Sequence, residues 1–488
     1  MRCGRMRRSG RGHCFRFSTT AWPSRTPTDC SGCPRKRGGR SARVASLVFM
    51  GGSAAGAAPG RASSSPFRAR TPVTAVLLAI VMMAVAGCSG GAGFEGAGPG
   101  SDSGADAPPA VEREPGAVIT EMDLAVESPS VASARRIVYA STDAHGGPNV
   151  VSGSVLEPTA EWTGDGPRPL LVIAPGTQGA ADNCAPSMTM HFGTAPPPPS
   201  RHFLDLGWAV AITDYEGLGT PGAHTYLVRE AQGHAVLDMA RAAEELIGGF
   251  GSGGFGSGGF GSDGAAETPV AVFGFSQGGA ASAAAAEMAG DYAPEVNIRA
   301  VYAGGVPADL PSTAAEIDGS PLSGAMGYAI NGLVAAYPEV GEEIDGMLNA
   351  EGRSFLDETA TQCIGATLAM WGRRDSADFT VDGRSFAEHL GDGAGPGLRR
   401  AVSKQTLGTT APGMPVFVTH NVEDDVIPVA GARRLVRDWC AAGANVTYSE
   451  VDEDLGDASH GLAWQLTADE AFGWLVSVMG GSGVPGNC

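Results

Sequence analysis

PVAVFGFSQGGAASAAAAEMAG, residues 269–290, is the stretch whose reading decides the fold. It opens with an apolar run, 270–273, short enough for a buried strand. It then turns through Gly274, Phe275, Ser276, Gln277 and Gly278 into an alanine-rich segment that favours helix. A serine at the apex of such a turn sits on strained backbone with its hydroxyl exposed, and small residues on either side let the helix close on the strand. The pattern is that of a nucleophile elbow.

The letters count only in that context. With 73 glycines in 488 residues, a G-x-S-x-G match arises by chance about once. A second match does occur around Ser89, between Gly87 and Gly91, but it stands between a leader and a low-complexity stretch, with neither strand nor helix beside it.

Working outward, the chain changes character near residue 88. Residues 1–87 hold 15 of the 33 Lys and Arg and a single acid, Asp29, so residues 88–488 carry 18 basic against 51 acidic groups, a balance of −33. Such a surface favours solubility and argues against nucleic acid or anionic surfaces as partners. Residues 1–87 read as a leader. Its first half, with scattered arginines and Cys3, Cys14, Cys30 and Cys33, lacks apolar periodicity and reads as translated from an over-early start; no second Cys/His pair follows Cys30 and Cys33 to make a zinc site. From Met50 onward Arg68 and Arg70 precede an apolar run at 73–86 and then Gly87 and Cys88, the order of a signal peptide. That run is too short to span a bilayer comfortably. Val85, Ala86, Gly87 and Cys88 resemble the lipobox of bacterial lipoproteins, which implies acylation of Cys88; ordinary secretion with an incidental cysteine is the alternative.

Residues 88–116, mostly Gly, Ala, Ser, Asp and Pro, read as a flexible tether. Residues 136–141 and 149–156 suggest a leading antiparallel hairpin. Residues 169–175 and 208–213 are nearly continuous apolar runs, as in a sheet covered on both faces. Val236, Met239, Ala243 and Leu246 recur at helical spacing, which predicts an amphipathic helix over 226–246. GGFGS then repeats three times over 248–262, far below the size of a folding repeat, and reads as an elongated surface loop. Further strands are expected at 300–303 and 414–420. Alternating strand and helix patterns of this kind imply an α/β fold with a mostly parallel sheet, its site beyond the carboxyl ends of the strands.

A serine hydroxyl is a poor nucleophile at neutral pH, so Ser276 needs a base within reach and an acid to orient that base. In an α/β-hydrolase fold the chain order is Ser, acid, His. The strand ending at His420 is followed by Glu423, Asp424 and Asp425, and His460 stands near the C-terminus. Asp424 is preferred because the D-x-x-I-P spacing to Pro428 resembles the usual arrangement after the acid-bearing strand; Asp425 is the alternative. Of nine histidines only His389 and His460 follow the nucleophile without ending the acid's own strand, and His389 precedes the acid loop. The oxyanion donors expected are the backbone N–H of Gln277 and one from residues 176–179, after the strand at 169–175.

The runs APGTQGAADNCAPS (174–187), TDYEGLGTPGAHTYLV (213–228), VLDMARAA (236–243), GFSQGG (274–279) and NGLVAAYPE (331–339) together resemble the secretory lipase family, lipase-A-like α/β-hydrolases of yeasts and actinobacteria. The resemblance covers about residues 130–488. It implies a serine ester hydrolase whose core, 117–308 and 402–488, carries a large helical lid at 309–401. It places the second oxyanion donor at Gln178 and pairs Cys184 with Cys363, which leaves Cys440 with Cys488. The GGFGS insertion and Asn421, where glycine is usual, depart from the family pattern.

The expected function is thus a lipid-anchored carboxylic ester hydrolase acting on acylglycerols or similar lipid esters. A same-fold esterase on short-chain, steryl or polysaccharide esters is the alternative, and a non-catalytic ligand-binding lipoprotein a further one. The membrane is expected as a partner only through the N-terminal lipid. The sequence carries no metal-ligand cluster and no nucleotide motif, so no cofactor is implied, and no oligomeric state is indicated.

Overall fold

A computed structural model describes residues 113–249, 268–391 and 393–488. The leader 1–87, Cys88, nearly all of the tether 88–116 and the GGFGS repeats beyond residue 249 lie outside these residues.

Among the described residues one nine-stranded sheet organises the chain. β1 (Val118–Asp123), β2 (Val131–Thr142) and β3 (Pro148–Pro158) pair antiparallel. The hairpin expected from sequence is thus longer than its apolar runs and is preceded by a strand they did not reveal. β4 (Leu170–Ala174), β5 (Ala209–Glu216), β6 (Val270–Phe275), β7 (Ile298–Gly304), β8 (Val416–Asn421) and β9 (Val446–Val451) follow. The spatial order is β1-β2-β3-β5-β4-β6-β7-β8-β9. β3 meets β5 antiparallel, and every pair from β5–β4 to β8–β9 is parallel.

Alternation along the strands sorts their side chains into two cores. From β4 and β6, Leu170, Val172, Val270 and Val272 enter one core, while Leu171, Ile173, Ala271 and Phe273 enter the other. α1 (Pro186–His191) and α2 (Pro198–Asp205) join β4 to β5; α3 (Arg229–Gly249) follows β5 and α4 (Gln277–Tyr292) follows β6. The first core is covered by α3 and α4. α3 begins at Arg229, three residues after the expected start, because Leu227 takes a left-handed φ of 57° that helix cannot accept. It also runs two residues into the GGFGS repeats, where a loop was expected.

Between β7 and β8 the described chain is helical: α5 (Leu310–Ile317), α6 (Ala325–Ala336), α7 (Gly341–Met347), α8 (Ala350–Thr359), α9 (Ile364–Trp371), α10 (Phe386–Leu390) and α11 (Pro396–Lys404). The last of these continues past residue 401, the boundary expected from sequence. Local signals set several starts. The Asp309 carboxylate accepts from Ser312 N at 2.9 Å, Asn349 Oδ1 from Gly352 N at 2.9 Å, and Ser385 with Glu388 forms a reciprocal capping box. These helices enclose an apolar core of their own around Tyr328, Phe355, Phe379 and Phe386, and Val426 and Ile427 from the loop after β8 join it. α12 (Val429–Ala441) lies between β8 and β9, and α13 (Ser459–Met479) ends the fold and covers the second core with Trp474 and Leu475. Among the described residues two disulfides are present, Cys184–Cys363 and Cys440–Cys488.

One buried acid ties the first core to its surroundings. Glu287 on α4 accepts from Arg229 Nη2 at 2.7 Å, from Trp439 Nε1 on α12 at 2.8 Å and from Gly408 N at 2.6 Å. Removing the carboxylate strands Trp439 Nε1 and Gly408 N and leaves the Arg229 charge only its 3.3 Å pair with Glu230. Glu287→Leu should therefore lower the unfolding free energy by about 3–5 kcal/mol. Denaturant titration checks this, and an unchanged midpoint would refute the joint role of this group.

Candidate active site

Ser276 joins β6 to α4 with φ 60° and ψ −121°, a left-handed backbone that a β-substituted residue rarely adopts. The turn closes because its neighbours lack side chains. A Cβ on Gly278 would stand 2.0 Å from the Ala174 carbonyl oxygen, and one on Gly274 would stand 2.0 Å from that of Gly278. Ser276 N donates to Gly304 O at 2.9 Å, which pins the apex to the end of β7.

α13 starts at Ser459 and so delivers His460 in its first turn. His460 Nε2 lies 2.8 Å from Ser276 Oγ, and Nδ1 lies 2.8 Å from Asp424 Oδ2. The structure therefore brings Ser276, His460 and Asp424 together in one chain of hydrogen bonds. Asp425, the alternative acid, accepts instead from the backbone N–H of His460 at 2.7 Å. The second oxygen of Asp424 accepts from Val426 N at 3.0 Å and Ile427 N at 2.8 Å. Burial alone would raise this carboxyl; the charge and hydrogen bond of the His460 ring outweigh it and hold the group below the usual carboxylate range. Asn421 ends β8, and its side chain bridges to both backbone groups of Glu453 and to Ser459 O, joining the acid loop to the histidine loop. Sequence reading marked it only as a departure from glycine.

Opposite the histidine, residues 175–180 pass beside the elbow: a Cβ on Gly176 would lie 3.4 Å from Phe275 O. Within this loop Gln178 folds its side chain back onto Gly176 O at 2.9 Å, while its carbonyl accepts from Ile364 N at 2.8 Å. The loop is held from the other side as well. Tyr215 Oη donates to Pro175 O at 2.8 Å, and Thr177 Oγ1 lies 2.6 Å from Tyr226 Oη. Gln277 heads α4, so its backbone N–H has no partner in the helix ladder. Its side chain is buried against His224, Nε2 to Nε2 at 3.2 Å. The sequence reading gave His224, Tyr215 and Tyr226 no part in the site: it set His224 aside among the other histidines, placed Tyr226 at the start of a helix and otherwise quoted the stretch as resemblance.

Ser276, Gln277, Thr177 and His460 open on an apolar cavity. Met326, Ile330 and Leu333 of α6 line it with Leu310 and Ile317 of α5 and Ile427 of the acid loop. Among the described residues no three His, Cys, Asp or Glu side chains gather as a metal-ligand set.

The secretory lipase family profile matches residues 201–483. A protein of Mycobacterium tuberculosis (strain CDC 1551 / Oshkosh) named "probable inactive lipase" is 29% identical over 384 residues, covering 75% of this chain and 79% of its own length. Lipase 10 of Candida albicans is 26% identical over 373 residues, covering 73% and 75%. Among solved structures, lipase A of Candida antarctica in its closed state superposes with a TM-score of 0.64 at 21% identity, covering 77% and 84%, a likeness of fold. The fold is thus that of an α/β-hydrolase.

Burial drops the His224 imidazole from the usual value of 6.5 to about 4, the backbone hydrogen bond to Glu216 opposing only in part. The unfolded chain takes up a proton that the folded one refuses, so this residue's stabilisation is complete above pH 6.5 and declines as pH falls toward 4. The loss approaches about 1.4 kcal/mol per pH unit within that window. His224→Gln should flatten the stability profile between those limits. Denaturant midpoints at several pH values test this, and an identical slope in the variant would contradict it.

Proposed function

The chain belongs to the secretory lipase family, and on that footing we propose that it is an exported serine ester hydrolase that cleaves acylglycerols or similar lipid esters through an acyl-enzyme on Ser276. The observation that carries the reading is the unbroken path from Ser276 Oγ through His460 to Asp424, with both contacts at 2.8 Å.

In this reading His460 Nε2 takes the hydroxyl proton as Ser276 Oγ attacks the ester carbonyl, then returns it to the leaving alcohol. Asp424 keeps the Nδ1–H tautomer and stabilises the imidazolium that forms. Its depressed pKa supports this, since the carboxylate stays ionised at neutral pH. The backbone N–H groups of Gln277 and Gln178 receive the oxyanion, and water on the same path releases the acid. The word "inactive" belongs to the name of the mycobacterial relative; here the intact path favours turnover over ligand storage. Residues 309–401 act as a lid on the core formed by 117–308 and 402–488, and the cavity beneath α5 and α6 takes the acyl chain. The signal-peptide pattern and Cys88 add export with a lipid anchor to the proposal.

Ser276→Ala and His460→Ala should each lower kcat by roughly a million-fold, and Asp424→Asn by about 10⁴-fold, without loss of fold. Hydrolysis by folded Ser276→Ala protein would end this reading.

A cavity walled by Met326, Ile330 and Leu333 adds about 0.8 kcal/mol for each methylene it takes from water. Expressed in transition-state binding, that gain makes kcat/KM climb with acyl length and level off when the space is full. Met326→Trp should move the optimum to shorter chains. Initial rates over a p-nitrophenyl ester series provide the check; best activity on acetate in the wild-type protein would replace the lipase reading with a short-chain esterase.

A further inference from the structure

Two hydrogen bonds define the state of a buried histidine outside the Ser–His–Asp path. His224 Nδ1 faces the Glu216 carbonyl at 2.9 Å. A carbonyl can only accept, so Nδ1 carries the hydrogen. The ring is buried, with its pKa near 4, so it is neutral at working pH and Nε2 presents a lone pair. The atom 3.2 Å away on Gln277 must then be the amide nitrogen, as a donor. Tautomer and carboxamide orientation are thereby set together. Tyr215 stacks over the imidazole with ring centres 6.0 Å apart, and Tyr226 meets it edge-on at 5.8 Å, so the ring has little room to turn.

We propose that His224 is a positioning residue for the oxyanion site: by accepting from the Gln277 carboxamide it fixes the residue whose backbone N–H receives the developing negative charge. The proposal rests on the reading of Gln277 as an oxyanion donor. The same short stretch governs the opposite wall of the site, because Tyr226 holds Thr177 and Tyr215 holds the Pro175 carbonyl. The end of β5 and the loop that follows it, residues 215–227, therefore bear on both candidate donors. The ends of this stretch are strained: Tyr215 has φ 71° and Leu227 φ 57°, left-handed values on residues with side chains. Such backbone persists only where its surroundings over-determine it.

Steady-state kinetics on a soluble p-nitrophenyl ester test the idea with three variants. His224→Phe keeps the ring and removes the acceptor; kcat should fall on the order of 10–100-fold with KM within about twofold, because an oxyanion contact strengthens in the transition state. His224→Gln returns an acceptor near the place of Nε2 and should recover kcat to within about threefold of wild type. Gln277→Met alone should show the same fall in kcat. Combined with His224→Phe it should cost no more than either change singly, since both act through one contact. Should His224→Phe fail to fold, Gln277→Met with the histidine intact still decides, and wild-type kcat in that variant overturns the proposal. Multiplying losses in the double variant, or a rise in KM without a fall in kcat, also overturn it. Failure of the site assignment is separable: folded Ser276→Ala that turns over defeats the catalytic reading, whereas dead Ser276→Ala beside a fully active His224→Phe defeats only the positioning role.

Discussion

The contact on which the rest of the site depends is the close approach of two backbones at the end of β6. Gly278 presses against the Ala174 carbonyl so tightly that no side chain fits, and this lets α4 start directly above the sheet with Ser276 at φ 60°. A strained dihedral of this kind costs of order 1–3 kcal/mol. It is offset by strands buried on both faces: Leu170, Leu171, Val172, Val270 and Ala271 are all fully enclosed. Since β6 lies between β4 and β7, the apex also has neighbours on both sides, the 175–180 loop on one and Gly304 on the other.

The acid and the histidine reach the same place by a different device. Their loops have little core of their own, so polar groups do the aligning. Asp424 is held by two backbone N–H groups, Asp425 caps the backbone of His460, and Asn421 stitches the two loops together. Each of these groups is buried or half-buried, where an unmet partner costs far more than a met one gains. Asp424 and Asn421 use both of their side-chain polar atoms in this way, and Asp425 uses Oδ1, so the two loops are fastened at several points at once. Val426 and Ile427 extend that fastening into the apolar core of the helical segment.

How much of this was legible beforehand depended on the range of the interaction. β4, β6 and α4 are written locally, as apolar runs and an alanine-rich stretch, and the order Ser276, Asp424, His460 is a one-dimensional property that can be read off a chain. β1 and β9 lie at the sheet's edges with half-exposed side chains, so their patterns are weak. The start of α3 was misplaced because Tyr226, which looks like a helical residue, is held in a loop by Thr177, 49 positions earlier. His224 offered no periodic signal, only a place in the quoted run 213–228; its partner is Gln277, 53 residues later. Asn421 was visible as an oddity, but its purpose appears only when residues 453 and 459 fold back beside it.

The bond between Cys184 and Cys363 spans 179 positions, and between them lie β5, β6 and β7, Ser276 and the GGFGS repeats. A peptide bond cut anywhere within that interval leaves two fragments that remain one covalent molecule. Ser276 and His460 sit on one side of a cut made within residues 250–267, while the 175–180 loop sits on the other, still fastened through Cys184. Proteolytic nicking in the surroundings of a cell would thus change the number of chain ends without dispersing the parts of the site.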